Sequence, residues 1–366
     1  MRKWSPLFIF GLVFSLILLL ACNGVDTTDM AVSVNTDAQV LESTELQVMG
    51  TTPIVTDWIN QVASSRLTAE SVMPYDIDPH SFQPGAQDVA RVTESDLIIG
   101  IGSGYESKWL SDLLVTHPNL RYVELAEFVS LLETGEEHGE EHGEEHGEEH
   151  GEEHGEEHGE EHGEEHGEEH GEEHGEEHGG EDPHAEHDHG GQDPHFWFDP
   201  TRVMTAVEVI RGELSAIDPE GRDHYVAQGD EYLLILDQLD DYVNGKLGAI
   251  PTDQRAFMTG HDSLGYLNDR YQLEAMESII PNVDSEAGLT PDSLVSAVKF
   301  IKAHNVQVIF LEESRADKAV SAVADETGIR VAQGLNVETL ADPSQTYVDF
   351  IKSNIEVIVE NLMSVP

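Results

Sequence analysis

Eleven tandem copies of Glu-Glu-His-Gly fill residues 136–179, and they constrain the fold more than any other feature of the sequence. A glycine at every fourth position costs about 1 kcal/mol at each helical site relative to alanine, and the paired glutamates repel each other. We therefore predict that the surrounding segment, residues 133–193, is disordered and solvated. The fold must then be built from the chain on either side of it.

The remainder of the chain is acidic but can form a core. The 366 residues carry a formal net charge of −55, with 73 acidic against 18 basic residues, and 39% of them are hydrophobic. The repeat holds 22 of the acidic residues and 11 of the 20 histidines, which leaves −33 on the rest. This field attracts cations and repels nucleic acid, so we expect no nucleic acid partner. The length favours two lobes over a single core.

The N-terminus has the features of a secretion signal. Two basic residues precede an apolar run over residues 7–20, which is too short to span a bilayer comfortably. The run leads into Leu-Leu-Ala-Cys ending at Cys22, which resembles the lipobox of bacterial lipoproteins, and Cys22 is the only cysteine. We predict a signal peptide over 1–21, a lipid anchor on Cys22 and a flexible tether over 22–44. The mature protein is then expected outside the cytoplasm, in the periplasm or on the cell surface.

Short apolar segments alternate with amphipathic ones in both halves of the chain, which predicts an α/β fold. Residues 96–101 and 306–311 are examples of such strand candidates before and after the repeat. Between them, apolar residues recur at helical spacing through residues 219–247, which predicts one long helix. We predict two Rossmann-like lobes with parallel sheets, over 45–218 and 248–366, joined by this connecting helix.

Four short segments carry side chains that can bind a metal ion. Asp78-Pro79-His80 and Asp193-Pro194-His195 each place a histidine on a stiff turn beside a carboxylate. His261 follows a strand, where α/β sheets place their ligands, and a segment with Glu338 follows the final strand. Three imidazoles and one carboxylate oxygen suit tetrahedral Zn²⁺, and the wide spacing excludes a zinc finger. Because two segments precede the connecting helix and two follow it, we expect the site in the cleft between the lobes.

These segments resemble the metal-site signatures of zinc-specific substrate-binding lipoproteins of ABC importers, the ZnuA-like branch of the cluster A-I metal-binding family. The resemblance rests on Asp-Pro-His-Ser-Phe-Gln-Pro at 78–84, Asp-Pro-His-Phe-Trp-Phe-Asp-Pro at 193–200 and His-Asp-Ser-Leu-Gly-Tyr at 261–266. It covers roughly residues 46–366 outside the repeat. It implies two lobes joined by one long helix, Zn²⁺ as the transported ligand, an ABC permease as the partner and no enzymatic activity.

The same resemblance implies which residues are the ligands. His80, His195 and His261 occupy the family's histidine positions, and members that favour manganese usually have a carboxylate at the third of these. His261 therefore indicates zinc. The family's fourth position is commonly aspartate, whereas Glu338 stands there in this chain, so the fourth ligand is open between Glu338, Asp342 and a water molecule.

The histidines of the repeat region form an auxiliary candidate site. The family often carries a His- and acid-rich loop between the first two ligand histidines, which implies a weak, multivalent zinc trap near the cleft. Its histidines include His138, His142, His178, His184, His187 and His189. The alternative is a low-complexity expansion without effect on zinc binding. The repeat also matches the His-x-x-Glu-His pattern of zinc peptidases, but its glycines deny it the rigid helix which that chemistry requires.

Three other functions are compatible with these residues. A manganese or iron carrier would use the same fold, and a surface adhesin would hold the metal only as a structural element. A zinc hydrolase would need an open coordination position and a general base, for which Asp262 is the nearest candidate. We expect a monomeric binding protein that captures zinc without catalysis.

Overall fold

A computed structural model gives the fold of the chain. It describes residues 46–134, 191–273, 276–280, 290–312 and 318–364. The predicted signal peptide, the Cys22 anchor, the tether and the histidine-rich repeat lie outside these residues. Within them, no helix combines the length and the apolar character that a membrane crossing requires.

The first lobe is built on a parallel sheet of four short strands. These strands are β1 (Val48–Gly50), β2 (Glu70–Ser71), β3 (Leu97–Gly100) and β4 (Tyr122–Glu124). The helices between them are α1 (Pro53–Ala63), α2 (Ala86–Glu94) and α3 (Ser107–Thr116). The strand order is β2-β1-β3-β4, and every pairing is parallel. Both central strands are buried throughout, which explains why β3 is a continuous apolar run in the sequence.

A short antiparallel pair lies where the chain leaves and re-enters this lobe on either side of the repeat. β5 (Leu132–Glu133) pairs with β6 (Gln192–Asp193), and the Thr134 backbone N–H donates to the Gly191 carbonyl at 2.8 Å. The prediction of disorder over 133–193 is therefore wrong at both ends of that segment, because backbone hydrogen bonds pair them. The interior of the segment lies outside the described residues.

The second lobe is built on another four-stranded parallel sheet. Its strands are β7 (Phe257–His261), β8 (Met276–Ile280), β9 (Val308–Glu312) and β10 (Arg330–Leu335). Its helices are α6 (Gly265–Tyr271), α7 (Pro291–His304), α8 (Lys318–Thr327) and α9 (Tyr347–Met363). The strand order is β10-β9-β7-β8. β7 extends through His261, so the third histidine ends the strand instead of following it, and β8 is an additional strand.

A long helix connects the lobes. After α4 (Pro200–Ile217), helix α5 (Arg222–Gly248) runs for 27 residues, which is about 40 Å at 1.5 Å per residue. It begins at Arg222 and not at 219, because Pro219–Gly221 form a 3-10 turn in which the Asp218 side chain accepts from the Gly221 N–H. α5 packs against α1 and α4 and also against α6 and α9 of the second lobe. The predicted fold class, two parallel α/β lobes with a long helix, is confirmed.

Candidate metal centre

Four buried side chains from distant parts of the chain converge at one point. His80, His195, His261 and Glu338 each offer one ligand atom, and these atoms all lie within 4.8 Å of one another. The Glu338 Oε1 atom lies 3.6 Å from the Nε2 of His80, 3.5 Å from that of His195 and 2.7 Å from that of His261. Two of the four residues precede α5 and two follow it, so both lobes contribute to the cluster.

The first lobe places its two histidines with the same local device. His80 lies in the 3-10 turn Pro79–Ser81, and the Asp78 side chain accepts a hydrogen bond from the His80 N–H at 3.0 Å. His195 precedes another 3-10 turn, and the Asp193 side chain accepts from the His195 N–H at 2.8 Å. Each Asp-Pro-His segment therefore fixes its own turn, because the aspartate caps the backbone that the proline has stiffened.

The second lobe places its two candidate ligands at the carboxyl ends of strands. His261 is the last residue of β7, and Glu338 lies in the loop after β10. That loop is held by Asn354 of α9, which accepts from the Asn336 N–H at 2.9 Å and donates to the Asn336 carbonyl at 2.6 Å. Asn336 in turn accepts from the Glu338 N–H at 3.3 Å. The position of Glu338 thus depends on the packing of a helix that begins nine residues later in the chain.

Two buried carboxylates orient two of the imidazoles. The Asp193 Oδ1 atom lies 2.8 Å from the His195 Nδ1, and the Glu312 Oε2 atom lies 2.6 Å from the His261 Nδ1. A carboxylate at Nδ1 favours the tautomer with its proton there, which leaves the Nε2 lone pair free to bind a cation. Glu312 is a residue that sequence reasoning missed. Its signal is its place at the carboxyl end of β9, the strand next to β7.

Glu338 is oriented from the first lobe. The Tyr105 hydroxyl lies 3.0 Å from Glu338 Oε2 and donates to it, and it lies 3.2 Å from the Glu338 carbonyl. This contact leaves Oε1 directed at the histidines. Within the described residues, Glu338 Oε1 and the Nε2 atoms of His195 and His261 have no hydrogen-bond partner outside the cluster, and the closest contact among them is the 2.7 Å approach of His261 Nε2 to Glu338 Oε1. Buried polar atoms without partners are costly, so a donor set directed at one point fits a cation.

The charges of the cluster are strongly coupled. Burial alone would raise the pKa of Glu338, but the His80 and His195 imidazoles hold that pKa well below its usual range. Burial would lower the pKa of His195, but the Glu338 and Asp193 carboxylates raise it to about 9. The pKa of His261 is raised well above its usual value despite burial, because Glu312 and Glu338 lie beside it. Without a cation the cluster therefore retains protons, and a metal ion must displace them.

Two other predicted candidates lie outside the cluster. Asp342, one of the three options for the fourth ligand, is exposed, and it accepts hydrogen bonds from the backbone and side chain of Ser344. Asp262 is not among the converging residues, and its pKa is raised by burial and by the nearby Asp193 charge. Cys22 and the six auxiliary histidines are not among the described residues. The carboxylate that the structure brings to the cluster is therefore that of Glu338.

A family model described as the periplasmic zinc-uptake complex component A matches residues 48–361 of the chain. This chain belongs to that family. Among curated relatives, the high-affinity zinc uptake protein ZnuA of Bacillus subtilis is 25% identical over 99% of this chain and 98% of its own. The manganese-binding lipoprotein MntA of Halalkalibacterium halodurans is 22% identical over 87% of this chain and 88% of its own. The manganese transporter lipoprotein PsaA of Streptococcus mitis is 23% identical, with 99% of both chains covered.

Solved structures support the fold. The periplasmic zinc-binding protein TroA from Treponema pallidum superposes with a TM-score of 0.68 at 21% identity, covering 87% of this chain and 99% of its own. Members of the zinc-uptake component A family are solute-binding proteins of ABC transporters and not enzymes, so the prediction of a non-enzymatic protein is confirmed. The chain is a metal-binding component of an ABC importer. Its relatives carry both zinc and manganese in their names, and several are named as lipoproteins.

Proposed function

We propose that this protein binds Zn²⁺ between its lobes and delivers it to an ABC permease. The observation that carries the proposal is the convergence of three imidazole nitrogens and one carboxylate oxygen in a buried cluster. Zinc favours nitrogen ligands in a four-coordinate site, whereas manganese favours sites richer in oxygen. The relatives' names point to either metal, so the composition of the ligand set supports zinc.

The spacing of the four atoms supports a tetrahedral ion. Bonds of about 2.0–2.1 Å to a tetrahedral zinc ion place neighbouring ligand atoms about 3.3–3.4 Å apart. The distances from Glu338 Oε1 to the Nε2 atoms of His80 and His195, 3.6 and 3.5 Å, are close to this value. The corresponding distance to His261, 2.7 Å, is shorter, so this pair would separate when the ion binds.

The hydrogen bond from Tyr105 supports the same choice of metal. Since the hydroxyl occupies Glu338 Oε2, the carboxylate offers one oxygen and the site contains one oxygen for three nitrogens. A carboxylate that bound through both oxygens would raise the coordination number toward the five or six that oxygen-rich sites provide. We infer that Tyr105 keeps Glu338 monodentate.

Capture and release follow from the division of the ligands between the lobes. Zinc binds neutral imidazoles, so its entry releases protons from the cluster. A permease that moved the lobes apart would separate His80 and His195 from His261 and Glu338, and the ion would lose half of its ligands. Because α5 packs against both lobes, we expect this movement to be small.

Two further parts of the proposal concern Cys22 and the histidine-rich repeat over 136–179. We infer that a lipid anchor on Cys22 keeps the monomeric protein at the membrane beside its permease. We further propose that the histidines of residues 136–179 bind zinc weakly and raise its concentration near the cleft. Deletion of 136–179 would then slow growth under zinc limitation, and unchanged growth would favour a repeat without effect.

A comparison of zinc with manganese tests the choice of metal. The mature protein is titrated with Zn²⁺ or Mn²⁺ in competition with a chromophoric chelator, and an H80A/H261A double variant measures the weak sites outside the cluster. We expect the cluster to bind one zinc ion per chain and to prefer it to manganese by more than about 100-fold. Cells lacking the protein should regain zinc uptake, but not manganese uptake, when it is restored.

The opposite pattern, manganese uptake restored and zinc uptake unaffected, would contradict the proposal and support a manganese carrier. Uptake also separates transport from adhesion. An adhesin with a structural metal would leave zinc uptake unchanged in His261→Ala cells, whereas an importer component would lose it.

A further inference from the structure

The hydroxyl of Tyr266, in the second lobe, contacts both strands of the β5–β6 pair in the first lobe. Tyr266 is the last residue of the 261–266 segment and lies in α6. Its hydroxyl accepts a hydrogen bond from the Leu132 N–H at 3.0 Å and donates one to the Asp193 carbonyl at 2.5 Å. Leu132 and Asp193 are opposite each other in the antiparallel pair. One buried hydroxyl therefore ties the two strands to each other and to the opposite lobe.

The residue that this hydroxyl holds also orients a ligand of the cluster. The Asp193 side chain accepts from both the backbone N–H and the ring Nδ1 of His195, each at 2.8 Å. Its backbone is held by Tyr266 and β5, so the position of the His195 ring depends on a contact between the lobes. Neither the Asp-Pro-His turn nor β6 alone fixes Asp193, because β6 contains only two residues.

Gly265 allows this contact to form. A methyl group at Gly265 would lie 2.8 Å from Asp193 Oδ2, closer than side-chain carbons are found to approach other atoms. The absence of a side chain thus lets the start of α6 rest against the Asp193 carboxylate. The Tyr266 ring is itself held by Arg202 of α4, whose guanidinium lies 4.7 Å from the ring centroid and bonds to Ser130 and Asp269.

We propose that Gly265 and Tyr266 are positioning residues that make the orientation of His195 depend on closure of the two lobes. With the lobes together, the Tyr266 hydroxyl holds Asp193, and Asp193 holds the His195 ring with its Nε2 directed at the ion. When the lobes separate, the hydroxyl leaves Asp193, and His195 loses its orientation at the moment when the ion loses the ligands of the second lobe. The inference rests on the proposed ligand set and adds two residues that control the orientation of one of its ligands.

A double-mutant cycle tests the inference in the mature protein. Tyr266→Phe removes only the hydroxyl, and Tyr271→Phe is a matched control, since the Tyr271 hydroxyl on the same helix bonds to Asp240 in α5 at 2.8 Å. Zinc affinity is measured by chelator competition for each variant, with and without His195→Ala. We expect Y266F to weaken zinc binding about tenfold in the presence of His195 and less than twofold in the H195A background.

The visible absorption of Co²⁺ bound in place of zinc reports on the geometry of the ligands, so it separates a change at His195 from a general loss of stability. We expect the visible absorption of bound Co²⁺ to lose intensity or shift in Y266F and to remain as in the wild type in Y271F. Equal losses of zinc affinity with and without His195, or no loss in Y266F, would overturn the inference and leave the zinc proposal standing. A wild-type protein that bound no zinc in the cluster would overturn both.

A second pair of variants covers the case in which Y266F does not fold. Gly265→Ala places a methyl group against Asp193, and Gly245→Ala on α5 is its control because a methyl group there meets nothing within 4 Å. We expect G265A to reproduce the His195-dependent loss of zinc affinity and G245A to leave affinity unchanged. If G265A folds and binds zinc like the wild type, the dependence of His195 on lobe closure is wrong.

Discussion

The two lobes place the same number of proposed ligands by different means. In the first lobe, His80 and His195 lie on turns whose aspartates are two residues away in the chain. In the second lobe, His261 and Glu338 lie at strand ends and are held by Glu312, Tyr105 and Asn354, which belong to other parts of the fold, with one local bond from the Glu338 N–H to Asn336. The His80 backbone is held within its own turn, whereas His195, through Asp193 and Tyr266, depends on a contact made elsewhere in the fold, as do the two side chains of the second lobe. An importer component that must release its ion benefits from having part of the site sensitive to lobe position.

Removal of a single proposed ligand, from either lobe, should cause the largest loss of zinc affinity. If zinc binding by four protein ligands is worth roughly 10–16 kcal/mol, one ligand contributes about 2.5–4 kcal/mol, or a loss of roughly 10²- to 10³-fold. We expect His80→Ala and His261→Ala each to lower zinc affinity by this factor in chelator competition. His117→Ala, at an exposed histidine in the first lobe, serves as the control. A loss confined to one lobe would show that the other lobe does not bind the ion.

Acidification should weaken zinc binding by about 100-fold between pH 8 and pH 6. The pKa of His195 is raised to about 9, so this imidazole holds a proton below that pH, and zinc must displace it. One displaced proton lowers the apparent affinity about tenfold per pH unit, and a second proton on His261 would steepen the slope. The measurement is chelator competition at pH 6, 7 and 8. A flat profile would mean that the histidines are already neutral in the free protein.

The same pKa predicts the opposite trend for the stability of the metal-free protein. A raised pKa in the folded state means that the protonated imidazole stabilises the fold. This contribution is complete below about pH 6.5, the ordinary pKa of histidine, and is lost as the pH rises toward 9. Urea unfolding of the metal-free protein should therefore show a decrease in the free energy of unfolding over this range, and zinc should reverse it. If the free energy of unfolding of the metal-free protein rose from pH 6.5 to 9, it would contradict the raised pKa of His195.

The carboxylates that orient the imidazoles should contribute less than the ligands themselves. We expect Asp193→Asn and Glu312→Gln each to lower zinc affinity about 10- to 100-fold, because each leaves an imidazole less firmly oriented and less basic. Glu356→Gln on α9, whose carboxylate is 56% exposed, is the control. The zinc affinities of D193N and E312Q compare how firmly each lobe holds its histidine. Each carboxylate also accepts from the backbone N–H of its own histidine, Asp193 within the turn and Glu312 from the neighbouring strand, so D193N and E312Q should disturb the zinc-free site to a similar degree.

The difference between the lobes also explains which features the sequence could predict. Asp-Pro-His is a recognisable local pattern, so its repetition at 78–80 and 193–195 made both first-lobe histidines candidates. His261 was predictable from the strand that it ends. Glu338 stayed one of three options, because the loop between β10 and α9 sets which carboxylate turns inward, and local sequence does not encode that geometry.

Residues that act across the fold carry no local sign of the partner that they contact. Glu312 reaches His261 only because β9 lies beside β7 in the order β10-β9-β7-β8. The spacing of apolar residues predicts single strands but does not predict their order in a sheet. Tyr105 meets Glu338 only when the lobes come together. The two-lobed α/β fold and the long helix were predictable from continuous apolar strands and from helical spacing. The β5–β6 pair was not, because two-residue strands leave no pattern.

The smallest predicted effect concerns Tyr105, which contacts a second-lobe ligand from the first lobe. Tyr105→Phe removes a hydrogen bond to Glu338 Oε2, which is worth about 1 kcal/mol, so zinc affinity should fall only about fivefold. The freed oxygen can then bind the ion together with Oε1, which favours manganese over zinc. We expect the ratio of zinc to manganese affinity, measured by competition titration, to narrow in Y105F. Tyr225→Phe is the control, because it removes a hydroxyl that donates to Asp218 between α4 and α5. Its ratio of zinc to manganese affinity should stay at the wild-type value. An unchanged ratio in Y105F would mean that the three histidines alone select the metal, and that the contact from Tyr105 holds the lobes together without choosing the ion.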